Sequence, residues 1–434
     1  MRTAYINCTL FDGTDDAVTQ ENMTIVVDDD RIESVCAGAP DTAGAVDATV
    51  DLEGAFVMPG MINAHAHHFG TGKPSSTLTG GGSQKAILAF SKTAAGHAYL
   101  EKIMKGCLTS ALLSGVTTER GVGDLQYVDV KVRNKINQGK FLGPRFLVSG
   151  AAITVADGHG AGTFAQVAET PEEFEALVDD RAAHDVDFIK ICTTGGVMDS
   201  DKEGEAGLLR MNLEQAKAAC DAAHKHGLYV ASHTEGTEGL LVDLKAGVKT
   251  VEHGVPLDDE TLALYKKTGA AEICTVSVAL PMAKLPCEQT KMPPVTTYNA
   301  NVVFERIVHG AQNCIEAGIP VGLGTDAACP YITHYDLWRE VVVFHTIVGV
   351  SPEMALRTVT LGNARILGID HITGSIEPGK AADFIVLRQN PLEDLHRLRN
   401  VEQVIVRGHR IHDAAEQLAP MRQTDLDEVL DTLY

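Results

Sequence analysis

The chain has 434 residues, of which 44% are hydrophobic, and its formal net charge is −22. This length suits one large domain with a smaller one, and the charge argues against nucleic acid or an anionic membrane as the main partner. No segment approaches the roughly 18 consecutive apolar residues of a membrane span, and the first residues lack the pattern of a signal peptide. The nine cysteines include no CxxC pair. We therefore expect a cytoplasmic protein with reduced thiols.

Both ends of the chain have the pattern of β-hairpins. Short apolar strands alternate with turns over residues 1–57, and the same pattern returns over residues 366–412. A different pattern fills the middle. We therefore expect residues 1–57 and 366–434 to build one small β-sandwich domain, and residues 58–365 to form a larger domain.

A pair of histidines follows the first strand of the middle region. Residues 56–64 predict a buried strand, and His65 and His67 come directly after it, one residue apart. Alternate residues of an extended chain face the same side, so the two imidazoles can converge on a zinc-like cation. Two histidines in a turn would be the alternative if the pair stood alone.

The middle of the chain alternates predicted strands and helices, which is the pattern of an α/β protein. Seven further strands are predicted at residues 116–120, 145–151, 186–191, 228–233, 248–253, 271–276 and 320–326. Eight strands with helices between them favour a (β/α)8 TIM-type barrel over an open doubly wound sheet. No GxGxxG motif follows the first strand, which disfavours a dinucleotide-binding fold.

Three long connections follow the first, fourth and seventh predicted strands. They cover residues 70–84, 199–209 and 280–300, and they are rich in polar residues, glycine or proline. In a barrel all three would lie at the carboxyl ends of the strands, where substrates bind. We interpret them as lids over a site, although inert connections could have the same composition.

The predicted strands carry side chains that bind metal ions. These side chains are His65 and His67 on the first strand, Lys190 on the fourth, His233 on the fifth, His253 on the sixth and Asp326 on the eighth. A barrel brings the strand ends to one rim, so the sequence predicts a metal site, and more specifically a site for two metal ions.

Lys190 needs a chemical explanation, because a buried ammonium group is costly unless it is neutralised or paired. A neutral lysine can add carbon dioxide and become a carbamate, whose two oxygens could bridge two cations. An ammonium group paired with Asp187 or Glu252 is the alternative.

Segments along the whole chain resemble the amidohydrolase superfamily of metal-dependent hydrolases. They are residues 59–67, 115–123, Lys190, His233, 251–254, 324–326 and 374–384. Residues 193–198 and the turn around His159 are similar to the imidazolonepropionase-related branch, which includes Xaa-Pro dipeptidases and ochratoxinase-like amidases. The resemblance implies a barrel with a split β-sandwich, two divalent ions expected to be Zn²⁺, and a homo-oligomer.

The resemblance also implies a role for each matching residue. The implied ligands are His65, His67 and Asp326 for the first ion, His233 and His253 for the second, and carboxylated Lys190 as the bridge. A hydroxide shared by the ions would attack the amide carbon, and Asp326 would carry its proton to the leaving nitrogen. His159 would donate to the carbonyl or the developing oxyanion, and a turn histidine facing solvent is the alternative.

The sequence departs from some relatives near the expected substrate. After His233 comes Thr-Glu-Gly, where some dipeptidase relatives have a tyrosine that touches the substrate carboxylate. Arg120, Arg210 and Lys202 are the other candidate partners for such a carboxylate. Each has the sequence context of a surface or loop cation, so the partner stays open.

Three functions are consistent with the sequence. The first is hydrolysis of a C–N amide bond in a small molecule, either a dipeptide or an N-acyl amino acid. The second is hydrolysis of a cyclic amide or lactone at the same site. The third is an inactive barrel that serves as an assembly module, and the complete set of six ligands argues against it. Serine catalysis is disfavoured because no GxSxG motif follows a strand.

Overall fold

The computed structural model of the chain describes residues 1–38, 46–74 and 81–434, and the side chains of residues 81–85 are outside that description. Unit 1 comprises Met1–Asn63, Thr109–Glu119 and Tyr335–Arg422. Unit 2 comprises Ala64–Leu108, Arg120–His334 and Gln423–Tyr434. Within the described ranges, no helix is both long and apolar enough to cross a membrane.

The strands of the described residues are β1 (Arg2–Leu10), β2 (Gln20–Asp28), β3 (Arg31–Ala37), β4 (Ala48–Asp51), β5 (Phe56–Pro59), β6 (Met61–Ala66), β7 (Val116–Gly121), β8 (Arg145–Val148), β9 (Ala152–Thr154), β10 (Ala165–Val167), β11 (Ile189–Cys192), β12 (Val230–Thr234), β13 (Thr250–His253), β14 (Ala271–Cys274), β15 (Val321–Leu323), β16 (Phe384–Leu387), β17 (Gln403–Val406) and β18 (His409–Ile411).

The α-helices are α1 (Gly81–Ser91), α2 (Ala94–Leu113), α3 (Val128–Asn137), α4 (Pro171–Ala183), α5 (Leu213–Lys225), α6 (Thr237–Ala246), α7 (Asp259–Thr268), α8 (Val276–Lys284), α9 (Cys287–Thr290), α10 (Pro294–Glu316), α11 (Leu337–Val343), α12 (Pro352–Arg357), α13 (Asn363–Leu367), α14 (Ala414–Leu418) and α15 (Thr424–Leu430).

Unit 1 contains one sheet built from both ends of the chain. Its strand order is β18-β17-β16-β5-β1-β2-β3, with β4 beside β1. Strand β5 lies parallel to β1 and antiparallel to β16. Buried residues from both ends share one apolar cluster, in which the rings of Tyr5 and Phe384 meet edge to face at 5.2 Å. Apolar burial therefore stabilises the pairing of the two chain ends.

The strand predicted over residues 56–64 is two strands, so that prediction is wrong in its extent. Strand β5 pairs in the sheet of unit 1, β6 pairs with β7, and Gly60 lies between them. An added Cβ at Gly60 would lie 2.2 Å from the hydroxyl oxygen of Thr117, so the chain needs glycine there. Both strands are fully buried, and a continuous apolar run gives no sign of where one ends.

Unit 2 contains parallel strands, which confirms the predicted α/β class. Its sheet has the order β10-β9-β11-β12-β13-β14-β15. A second, three-stranded sheet of the described residues has the order β6-β7-β8. Backbone hydrogen bonds connect the two sheets at both edges of the second one. The amide of Asp187, just before β11, donates to the oxygen of Val148 at 2.8 Å, and that of Thr325, just after β15, donates to the oxygen of His65 at 3.1 Å.

Helices alternate with the parallel strands, and their ends follow the sequence signals. Helix α4 begins at Pro171, and Thr170 caps it by accepting a hydrogen bond from the amide of Glu173 at 3.3 Å. The connection predicted over residues 280–300 is wrong, because helices α8, α9 and α10 occupy most of it. Pro294 begins α10, a position where proline is favoured rather than disruptive.

Of the other two predicted connections, the structure describes one in part and the other in full. Residues 75–80 of the connection 70–84 lie outside the described residues, and α1 begins at Gly81. The connection 199–209 is a series of turns, joined to the end of β11 by a bridge between Thr194 and Leu209. It therefore lies at the carboxyl ends of the parallel strands.

The close approach of β15 to β6 generates a test of how the histidine pair is positioned. An added Cβ at Gly324 would lie 2.3 Å from the Cβ of His65 and 2.7 Å from its backbone nitrogen. We expect Gly324→Ala to lower the melting temperature by on the order of 4 °C and to weaken metal binding, because β6 must shift. Gly106→Ala is the control, since a Cβ there meets nothing within 4 Å. Equal melting temperatures for the two variants would contradict the expectation.

Candidate metal centre

The parallel strands of unit 2 present their functional side chains to a common side. In β12, Thr234 donates its hydroxyl to Asp243 of helix α6, so Thr234 faces the helix layer. Alternation along the strand places His233 and Glu235 on the opposite side. His233 pairs in register with Glu252 of β13, so the ends of neighbouring strands lie at the same level.

One group of possible ligands combines β6 with the end of β15. The Nε2 atoms of His65 and His67 lie 3.3 Å and 3.2 Å from Oδ1 of Asp326. His65, His253 and Asp326 each offer one ligand atom, and these atoms lie within 4.8 Å of one another. All four side chains are buried. The predicted first set of ligands is thus brought together.

A second group adjoins the first. His233, Glu235 and His253 offer ligand atoms that lie within 4.8 Å of one another, and the rings of His233 and His253 are 4.6 Å apart. His253 belongs to both groups. Glu235 was not among the predicted ligands, although its spacing from His233 repeats that of His65 and His67.

Lys190 is buried near these groups with only 2% of its surface exposed. Its Nζ has no hydrogen-bond partner among the described residues. Neither alternative pairing occurs, since Asp187 pairs with Arg133 at 3.0 Å and Glu252 pairs with Arg120. Burial lowers the pKa of the Lys190 amine, which favours the neutral form that can react with carbon dioxide.

Hydrogen bonds fix the orientation of three of the imidazoles. His67 Nδ1 donates to the backbone oxygen of Gly123 at 2.8 Å. His65 Nδ1 lies 2.7 Å from Glu252, and His253 Nδ1 lies 2.8 Å from the hydroxyl of Thr275. In the neutral His67 ring Nε2 must carry the lone pair, because a carbonyl can only accept. Such contacts orient imidazoles toward a metal ion.

A buried ion pair that was not predicted from the sequence lies beneath the imidazoles. The Arg120 guanidinium contacts both oxygens of Glu252 at 2.7 Å and donates to the oxygen of Ala64 at 2.6 Å. Burial would raise the pKa of Glu252, but Arg120, His65 and Lys190 together outweigh burial and hold that pKa well below its usual range. Arg120 is fully buried, so its interpretation as a surface or loop cation is wrong. It is not available to a substrate carboxylate.

His159 lies against the second group. Its ring stacks on that of His233 with centroids 4.0 Å apart, and its Nδ1 contacts the carboxylate of Asp199. Burial lowers the pKa of His159, but the carboxylates of Asp199, Glu235 and Asp326 together outweigh burial, so the pKa is raised overall. The alternative of a turn histidine facing solvent does not hold, because only 20% of the side chain is exposed.

The two remaining cations differ in their surroundings. Lys202 is exposed and lies 3.5 Å from Glu205. Arg210 is half-buried, and its Nε has no partner among the described residues. An added Cβ on Gly195 would lie 3.4 Å from that Nε, and one on the next residue, Gly196, would lie 2.4 Å from Nδ1 of His159. Arg210 is therefore close to the residues that border the site.

Two of the candidate ligands have an unusual backbone conformation. The φ angles of His253 and Asp326 are 75° and 58°, in the left-handed region that residues with a side chain rarely adopt. Such conformations cost about 1–3 kcal/mol each and cluster at functional sites. The fold therefore holds these two side chains in place at some cost in stability.

The donor set fits divalent metal ions. Among the buried polar atoms that have no hydrogen-bond partner within the described residues are Lys190 Nζ, His233 Nε2 and Glu235 Oε2. Buried polar groups are normally paired, so a ligand would account for these three. Imidazole nitrogens with carboxylate oxygens are the donors preferred by zinc and similar ions.

Known proteins resemble this chain over most of its length. Residues 56–411 match the model of the amidohydrolase family. A candidate prolidase from Bifidobacterium longum is 36% identical with a TM-score of 0.86, covering 100% of this chain and 99% of that protein. A Xaa-Pro dipeptidase solved with methionine in its active site is 29% identical with a TM-score of 0.82, covering 95% and 100%. Ochratoxinase from Aspergillus niger is 27% identical over 365 residues, covering 78% of this chain and 71% of the relative.

The ion pair beneath the imidazoles can be tested by removing one charge. We expect Glu252→Gln to destabilise the metal-free fold by about 3–5 kcal/mol, because it leaves the Arg120 charge buried and unpaired. Thermal melting measures the loss. Glu238→Gln, at an exposed position of α6, is the control that removes a charge without burial. If the two variants have the same melting temperature, the pair of Arg120 and Glu252 does not stabilise the fold in this way.

Proposed function

The chain belongs to the amidohydrolase family, and from that membership we propose a binuclear, metal-dependent hydrolase that cleaves the amide bond of a dipeptide or an N-acyl amino acid. It is a hydrolytic enzyme that acts on carbon–nitrogen bonds. The proposed substrate class agrees with the names of a prolidase candidate, a Xaa-Pro dipeptidase and an ochratoxinase among the similar proteins.

The fold that we propose for this activity is a (β/α)8 barrel. Its strands would be β6, β7, β8 and β11–β15, and the hydrogen bonds that connect the two sheets support a closed ring. We further propose that residues 58–365 form the barrel domain. Residues 1–57 and 366–434 would form the composite β-sandwich domain, which the pairing of β5 with β16 supports.

The observation that carries the proposed function is a buried lysine, without a hydrogen-bond partner among the described residues, beside two adjoining groups of histidine and carboxylate ligands. We propose that His65, His67 and Asp326 hold one ion and that His233 and His253 hold the other. The neutral amine of Lys190 would attack carbon dioxide and lose one proton, and the carbamate would bridge the ions. Two bound zinc ions would supply an acidified water as nucleophile and polarise the substrate carbonyl.

Asp326 is the proposed proton carrier. Burial would raise the pKa of its carboxyl group, but His65 and His67 outweigh burial and hold that pKa well below its usual value. The carboxylate is therefore ionised at neutral pH. It can accept a proton at one oxygen and deliver it to the leaving nitrogen.

His159 is the proposed donor to the substrate oxygen. Asp199 occupies its Nδ1 and favours the protonated ring, so Nε2 can carry a proton. Its ring stacks on His233 and is held at the edge of the site. A cationic N–H group next to the substrate carbonyl would stabilise negative charge that develops on its oxygen.

Arg210 is the proposed partner of a substrate carboxylate. Arg120 is bound to Glu252 and Lys202 is exposed beside Glu205. Arg210 is half-buried and close to the site, and its Nε has no protein partner among the described residues. A guanidinium group binds a carboxylate well, because its donors match the two oxygens.

The metal assignment can be tested with Lys190→Ala. We expect the wild-type protein to bind two zinc ions per chain and to hydrolyse a Xaa-Pro dipeptide or an N-acyl amino acid. The variant should bind fewer ions and lose activity on the order of 100-fold or more, because the bridge is absent. Elemental analysis and a hydrolysis assay measure both. Lys266→Ala, at an exposed position of α7, is the control.

Two results would count against this proposal. Full zinc content and full turnover in Lys190→Ala would remove the bridging carbamate. The zinc-loaded wild-type protein could instead hydrolyse lactones or cyclic amides and leave linear amides intact. That result would replace linear amides with cyclic amides or lactones as the substrate class.

The role of Arg210 can be tested with a substrate pair. We expect Arg210→Gln to raise KM for an N-acyl amino acid about 30-fold, since a hydrogen bond to a charged group is worth roughly 2 kcal/mol. The corresponding carboxamide, which lacks the charge, should be hydrolysed equally by both proteins. Lys202→Gln is the control. An equal rise in KM for both substrates would show that Arg210 does not bind the substrate carboxylate.

A further inference from the structure

Glu235 is a buried carboxylate that the proposed mechanism does not use. Only 5% of the residue is exposed, and its Oε2 has no hydrogen-bond partner among the described residues. A carboxylate oxygen of Glu235 and one nitrogen each of His233 and His253 lie within 4.8 Å of one another. A buried and unpaired carboxylate is costly, so its position calls for a ligand.

The backbone around Glu235 is held firmly. Its amide donates to the hydroxyl of Thr194 at 3.1 Å, and its carbonyl oxygen accepts from Arg306 at 2.8 Å. The same nitrogen of Arg306 also donates to the oxygen of Ala206 at 3.0 Å. Arg306 therefore donates these hydrogen bonds to main-chain oxygens. The Glu235 carboxylate is directed toward His233 and His253.

We propose that Glu235 is a direct ligand of the ion held by His233 and His253, an inference that rests on the proposed function. Zinc binds nitrogen and oxygen ligands at about 2.0–2.2 Å, so two ligand atoms on one ion are at most about 4.3 Å apart. The three ligand atoms lie within 4.8 Å of one another, which is close to the separation that a shared ion requires. A small side-chain rotation would complete the site.

The added carboxylate changes the charge of the site. Two divalent ions bring four positive charges, and Asp326 with the Lys190 carbamate would offset two of them. Glu235 offsets a third, so the second ion is held more tightly. The affinity of that ion for the protein is the property through which Glu235 should be observed.

The test compares Glu235→Gln with Glu272→Gln in the full chain. Glu272 is another fully buried glutamate, on β14, and its Oε2 lies 3.5 Å from the thiol of Cys314. It belongs to neither group of possible metal ligands. Each protein is reconstituted with Co²⁺, its visible spectrum is recorded, and a chelator competes for the ions. We expect Glu235→Gln to bind the second ion at least about 100-fold more weakly with altered cobalt absorption bands. Glu272→Gln should match the wild type.

Unchanged affinity for both ions and an unchanged cobalt spectrum in Glu235→Gln would overturn the inference. If KM then rises only for substrates with a free ammonium group, Glu235 binds a substrate cation instead. A wild-type protein that binds fewer than two ions would defeat the proposed function itself. A crystal structure of the zinc-loaded wild type needs no variant: a Glu235 oxygen about 2.0–2.2 Å from the ion supports the inference, and one beyond about 3.5 Å contradicts it.

Discussion

The buried pair of Arg120 and Glu252 is the interaction on which the candidate site depends. Arg120 reaches the backbone oxygen of Ala64 and both oxygens of Glu252, and Glu252 in turn contacts His65. One guanidinium therefore connects β6, β7 and β13 directly below the imidazoles. Because the pair is fully buried, removing either charge leaves the other uncompensated. The position of His65 is thus coupled to the stability of unit 2.

The other candidate ligands are oriented by groups outside their own ring. The oxygen of Gly123 orients His67, and the hydroxyl of Thr275 contacts His253. Burial is the main cause that holds the pKa values of His233 and His253 well below the usual value. Both rings are therefore neutral near pH 7, and protons do not compete with a metal ion for their lone pairs.

Much of the fold and several site residues could be predicted from the sequence, because they follow from local patterns. Strands that alternate with helices gave the α/β class, and ligand-type side chains at strand ends gave the groups that adjoin in unit 2. Both predictions require only that side chains alternate along a strand and that the carboxyl ends of the strands meet at one rim. The prolines of residues 280–300 were misleading, because Pro294 begins a helix instead of preventing one.

The features that were missed depend on contacts between distant residues. Gly60 separates two strands, and only the nearby Thr117 shows why a glycine is required there. Arg120 resembled a surface cation, because its partner Glu252 lies 132 residues away. Glu235 lies two residues after His233 in the sequence, but only the structure shows that its Oε2 has no hydrogen-bond partner among the described residues. Burial and pairing are tertiary properties that periodicity does not record.

Carbon-13 NMR tests most directly whether Lys190 carries a carbamate that bridges two metal ions. The wild-type protein would be loaded with zinc in the presence of ¹³C-labelled bicarbonate. We expect a carbamate resonance that integrates to one carbon per chain and that is absent before metal is added. Two bound zinc ions and full hydrolytic activity without that resonance would contradict the claim.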